Sequence, residues 1–172
     1  VTLFSTAPGR LLALWGLVLL TGCTSAPPPP TPSPFNTTDK AWLQLMIPMN
    51  EQLLPALDLA PTSLAGIAAE VRASHEVELD QLRRLRSRAG LPDSNLHAGH
   101  QMPGLISQAD LIALRIDPSG LGAKLREHLD QSALIARGEQ DNGADSETKE
   151  LARSIGARRA EQISRLVAVA PK

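Results

Sequence analysis

The sequence predicts an all-α fold, a four-helix bundle made of two related helical hairpins and a short connecting helix. Three observations carry this. Aromatic residues make up only 2% of the chain, with two Phe, two Trp and no Tyr. A core must then come from Leu, Ile, Val, Ala and Met, a palette poorer in the side chains strands favour. Apolar residues recur at steps of three and four, which places them on one face of a helix. That spacing is repeated in the second half of the chain.

The first helix is expected from about Asp39 to Leu59, with Thr38 as N-cap and with Pro48 and Pro55 inside it, where they should kink or break it. The second is expected from Thr62 to Ala89, capped by Thr62 or Ser63 and stopped by Gly90 and Pro92. A loop covers Leu91 to Ile106. Ser107 caps a short helix to Ile116, which Asp117-Pro118-Ser119-Gly120 closes. The third main helix should run from Leu121 to Arg137, followed by a polar loop from Gly138 to Asp145, and the last from Ser146 to Val169.

The second helix carries a stripe at Leu64, Ala68, Val71, His75, Glu78 or Leu79, Leu82 and Leu85. The last helix repeats it at Thr148, Ala152, Ile155, Arg159, Gln162 or Ile163, Leu166 and Val169. Both stripes are interrupted by polar residues at the same point. Met46, Met49, Gln52 and Leu53 of the first helix correspond in the same way to Leu125, His128, Gln131 and Ser132. This is the pattern of a duplicated hairpin.

Ahead of these helices, Arg10 precedes the apolar run Leu11 to Leu20, the layout of a secretory signal. The chain starts at Val1, read here as the N-terminus from a non-standard start codon. Leu20-Thr21-Gly22-Cys23 resembles the lipobox of bacterial lipoproteins. That resemblance implies a diacylglyceryl thioether on Cys23 and cleavage before it. The apolar run is too short for a plain transmembrane anchor, which needs about 20 residues, whereas two or three acyl chains anchor stably. Residues 24–38, with Pro27 to Pro30, Pro32 and Pro34, read as an extended tether. The expected organisation is a signal peptide over 1–22, a lipidated Cys23 with its tether over 23–38, and a helical domain over 39–172.

The helical part resembles the bacterial family called domain of unknown function 305. The residues that carry the likeness are Met46-Ile47-Pro48-Met49-Asn50, the turn His97-Ala98-Gly99-His100-Gln101-Met102-Pro103-Gly104, the run Leu125 to Leu129, and the two helix patterns that contain His75 and Arg159. The resemblance implies a ferritin-like duplicated hairpin and metal binding by His and Met side chains, which suit copper. This chain departs from the family's paired histidines: Met49 and Asn50 stand at the first pair, and His128 and Leu129 at the second.

Two readings of the polar residues follow. His75, His97, His100, Met102 and His128 are candidate ligands for copper or another transition metal, since imidazole and thioether suit it. Alternatively, the His97 to Met102 turn is a solvated loop, and Met49, His75, Glu78, His128, Arg159 and Gln162 form a structural polar layer. In that layer Arg159, a permanent cation, pairs with Glu78. The acidic stretch Glu139 to Glu150 lacks the spacing of a calcium loop and reads as solvated. Arg83, Arg84, Arg86 and Arg88 suit the C-terminal dipole of the second helix.

The single cysteine excludes an internal disulfide, and the net charge of −1 offers nothing to nucleic acid. The motifs of nucleotide-binding loops, zincins and nucleophile elbows are missing from the sequence. The expected function is therefore a non-enzymatic envelope lipoprotein, lipid-anchored on the extracytoplasmic side of the membrane. Its helical domain would have a structural or protein-binding role and require no cofactor. The alternative is an extracytoplasmic metal-binding protein.

Overall fold

Asn36 is the N-cap of the first helix, with an extended backbone. Its side chain accepts from the Asp39 N–H at 3.0 Å, while Asp39 Oδ2 accepts from the Asn36 N–H at 2.6 Å. This reciprocal capping box starts helix α1, Thr37–Leu57, two residues earlier than expected and with Asn36 rather than Thr38 as the cap. A computed structural model of the chain describes Thr2 and residues 33–169, apart from 98 and 100. The expected signal segment, Cys23, most of the tether, and His100 lie outside the described residues. All helices below belong to the unit spanning 32–172.

Five α-helices and two 3-10 turns make up the regular structure of the described residues. Helix α1 runs unbroken through Pro48 and Pro55, contrary to the expected break. Each proline removes one backbone donor. Met46, Ile47, Met49, Leu53 and Ala56 are all buried around those points, and this packing outweighs the loss. A 3-10 turn over Thr62–Leu64 leads into α2, Ala65–Arg88. Neither Thr62 nor Ser63 caps it, because Leu64 occupies the cap position and makes no side-chain bond. Gly90 ends α2 at φ +66°. Its N–H reaches Ser87 O at 3.0 Å and the Leu91 N–H reaches Arg86 O at 3.1 Å, a Schellman ending.

Helix α3, Gln108–Ile116, starts as expected on a Ser107 capping box with Asp110. The 3-10 turn Pro118–Gly120 then opens α4, Leu121–Asn142. Helix α4 continues five residues past the expected end at Arg137. It is held there by Gln140, whose amide donates to Ala136 O at 3.2 Å and to Ala152 O at 3.3 Å on the next helix. The expected loop thus shrinks to residues 143–145, and α5 spans Ser146–Val169.

Helix α1 packs against α2 and α4, and α5 packs against α4 and α2. Two apolar clusters result. One gathers Leu53, Val71, Leu125, Leu129 and Leu166 with α3 residues Leu111 and Leu114. The other gathers Phe35, Trp42, Met46, Leu82, Ala136 and Ile155. Phe35, placed in the tether by sequence, is in fact core, with Arg88 over its ring at 5.2 Å. The matched stripes of α2 and α5 both face inward; of their members only Ile163 and Val169 are not fully buried. Each long helix places at least one buried polar residue between the two clusters.

Candidate functional site: the buried polar layer

That polar stretch is built from one turn of each long helix. Asn50 comes from α1, Ser74, His75 and Glu78 from α2, His128 and Ser132 from α4, and Arg159 and Gln162 from α5. Steps of three and four keep each set on the inward face of its helix. All are buried, and Arg159 is 0% exposed.

Arg159 is fully engaged. Its Nη1 donates to Glu78 Oε1 and to Gln162 Oε1, both at 3.1 Å, its Nη2 donates to Glu78 Oε2, and its Nε donates to Ser132 Oγ at 3.0 Å. Glu78 also accepts from Asn50 Nδ2 at 3.1 Å. Gln162 Nε2 donates to Ser74 Oγ at 2.8 Å, and the Ser74 hydroxyl donates to Val71 O at 2.8 Å. Arg158 adds a second, half-exposed cation 3.7 Å from Glu78. The expected Glu78–Arg159 pair is therefore present, with Gln162 beside it.

His75 and His128 form a second group. Their Nε2 atoms lie 2.9 Å apart and their rings are tilted by 40°. Each Nδ1 faces a backbone carbonyl at 2.9 Å, Val71 O for His75 and Gly104 O for His128. A carbonyl only accepts, so both of these contacts are hydrogen bonds when each Nδ1 carries a proton. A neutral imidazole has one proton, so in that tautomer both Nε2 atoms are bare and two lone pairs meet, a repulsion that an ion between them would relieve. Burial holds both rings toward neutrality, and the Arg159 guanidinium adds to it: His75 is held well below the usual histidine range and His128 is lowered to about 3. The pair thus offers two electron pairs to one point, with each ring fixed by an outer carbonyl in the manner of metal-bound histidines.

The surroundings fit a metal only in part. Met49 is buried against Gly104, and Asn50 Oδ1 has no hydrogen-bond partner. Among the described residues, however, no three His, Cys, Asp or Glu side chains gather closely enough to hold an ion. His97 therefore does not join His75 and His128. Its N–H bonds Asn95 Oδ1 at 2.9 Å in the half-exposed turn that also carries half-buried Met102. Two nitrogens on one tetrahedral ion stand about 3.3 Å apart at ordinary zinc–nitrogen lengths, so the rings would have to separate by a few tenths of an ångström. Glu78 is occupied by Arg159 and contributes no free carboxylate.

Asn50, Ser74 and Ser132 also belong to the layer, beyond the residues expected from the sequence. Ser74 and Ser132 flank or match stripe positions and could have been found from the helical phase. The acidic stretch is solvated only in part: Asp141, Glu147 and Glu150 are exposed, but Glu139, Asp145 and Thr148 are buried, because α4 continues through Glu139 and Asp39 of α1 accepts from the Ala144 and Asp145 N–H groups. Three of the four arginines at the end of α2 also form ion pairs, Arg83 with Glu51, Arg86 with Asp93, and Arg88 with Asp145 and Glu147. No helix among the described residues is long and apolar enough to cross a membrane. Neither a family model, nor a curated protein, nor a solved structure matches this chain.

Proposed function

We propose that this chain is a non-enzymatic envelope lipoprotein, anchored on the extracytoplasmic side of the membrane by acyl chains on Cys23. Its helical domain is a ferritin-like four-helix bundle of the kind that the resemblance to the domain of unknown function 305 implies, with a structural or protein-binding role. The observation that supports a structural centre is the Arg159 network. In the same buried layer as Asn50 and His128, which stand at positions of that family's histidine pairs, this chain has a permanent cation bonded to Glu78, Gln162 and Ser132. A self-neutralised pair leaves no net charge for a metal to balance there. The anchor is tested by fractionating membranes from cells that make the Cys23→Ala chain. Release or stalled processing is expected, and full membrane retention of a processed, unlipidated protein refutes the anchor. The structural centre is tested by melting the intact protein with and without chelator, where equal midpoints are expected.

One observation favours a second reading, metal binding at His75 and His128. Their bare Nε2 atoms converge and their Nδ1 atoms are held by carbonyls. Two imidazoles with a neighbouring thioether suit copper(I) better than a hard divalent ion. Titration with copper(I) decides: one equivalent bound by the intact chain and lost in His75→Ala supports this reading. An ion that binds only the folded state must also raise the melting point.

A further inference from the structure

The end of the domain where α1 begins carries a second buried polar group that the polar layer does not use. Asp39, at 0% exposure, accepts from the N–H groups of Asn36 at 2.6 Å, Ala144 at 3.1 Å and Asp145 at 3.0 Å. It thereby ties the first turn of α1 to the link between α4 and α5. Glu139, at 1% exposure, lies against it with both carboxylate oxygens lacking a donor. Glu139 fits there because residue 143 is glycine: a Cβ at that position would run into the Glu139 carboxyl.

Two ionised carboxylates cannot share a dry contact without strong repulsion. With a proton on Glu139, the same contact becomes a hydrogen bond from Glu139 to Asp39. The N–H groups already aimed at Asp39 favour its charged form, so the proton belongs to Glu139. The same N–H groups oppose a cation, and they fill the lone pairs that a cation would need. We propose that Glu139 and Asp39 form a proton-controlled latch, closed by a shared proton, that fastens the start of α1 to the α4–α5 link.

The charges around the latch agree. Burial raises Glu139, and Asp39 and then Asp145 raise it further against the opposing pull of Lys149, leaving it at about 8. Asp145 is itself engaged by Thr148 and by Arg88 from the end of α2. Burial pushes Asp39 up, but its hydrogen bonds from Glu139, Asn36, Ala144 and Asp145 outweigh this and hold it below the usual range. A carboxyl raised in the folded state binds more protons than in the unfolded chain, so stability is lost as pH rises from the ordinary glutamate range through about 8. The histidines act at lower pH, so the interval from about 6.5 to 8 isolates the latch.

The experiment compares the intact chain with Glu139→Gln, whose amide can donate to Asp39 at every pH. Between pH 6.5 and 8 the unfolding constant of the native chain should rise by up to about tenfold per pH unit, and that of E139Q should stay nearly flat. Amide exchange at Ala144 and Asp145, corrected for intrinsic rate, should speed up as pH rises from about 6.5 toward about 8 and level off above it, in the native chain alone. Parallel pH profiles for the two proteins overturn the latch. If E139Q does not fold, the carboxyl carbon of Glu139 in the native chain is titrated by nuclear magnetic resonance: a midpoint above 7 supports the latch, and one in the ordinary glutamate range overturns it.

Discussion

Arg159 of α5 and Glu78 of α2 meet in the interior with every guanidinium nitrogen engaged. Taking two charges out of water is costly, and mutual attraction offsets that cost only while both partners remain. Either Glu78→Leu or Arg159→Met alone should therefore cost about 3–5 kcal/mol. The double variant should be far milder. A double-mutant cycle on denaturant stability measures this, and single losses of about 0–1 kcal/mol that simply add would place the pair in solvent.

The histidine pair predicts sensitivity to acid. Both rings are depressed in the folded protein, His128 to about 3. The unfolded chain then binds more protons than the folded one below about pH 6.5, so stability is present above that pH and is lost as pH falls toward 3. The stability difference between the native chain and His128→Gln should shrink by up to about 1.4 kcal/mol per pH unit over that window. A difference that does not change with pH would show that His128 is not held neutral. The contribution of Glu139 is common to both proteins and cancels.

Gly104 should tolerate no side chain. Its φ is +77°, a Cβ would stand 2.7 Å from Gln131 Cβ and 3.2 Å from Met49 Cε, and its carbonyl holds His128. Gly104→Ala combines left-handed strain of about 1–2 kcal/mol with a steric clash. Gly90 has a similar φ of +66° with open space around it, so Gly90→Ala should show the strain alone. Urea unfolding of the two variants should rank Gly104→Ala as clearly worse.

The caps give a contrast between two helix starts. Ser107 accepts from the Asp110 N–H at 3.1 Å, so Ser107→Ala should cost about 1 kcal/mol. Thr62→Ala and Ser63→Ala should leave stability within about 0.5 kcal/mol, since α2 starts without a side-chain cap. Thermal melts of the three variants check this, and an equal loss at Thr62 would contradict the observed start of α2.

Helix content, the two matched stripes and the pairing of Glu78 with Arg159 were legible in the sequence. Each is a local periodicity: a face repeats every 3.6 residues wherever the helix is placed, and polar residues that interrupt two buried faces at one level have only each other as partners. The Ser107 cap and the Gly90 stop were legible for the same reason, because their bonds span three to five residues. Tertiary structure alone decided what depends on residues far apart in the chain. Helix α4 outruns Gly138 because Gln140 bonds to Ala152 on α5. Phe35 leaves the proline-rich segment for the core because Arg88 and the second apolar cluster receive it. Glu139, an ordinary acidic residue by sequence, becomes a buried acid because the link between α4 and α5 folds under Asp39. His75 and His128 are 53 positions apart, and only the packing of α1 and α5 each against both α2 and α4 brings these two stripe residues together across the core as one site. Local pattern fixes which face of a helix is buried; which groups meet on that face is set by the packing of the helices against one another.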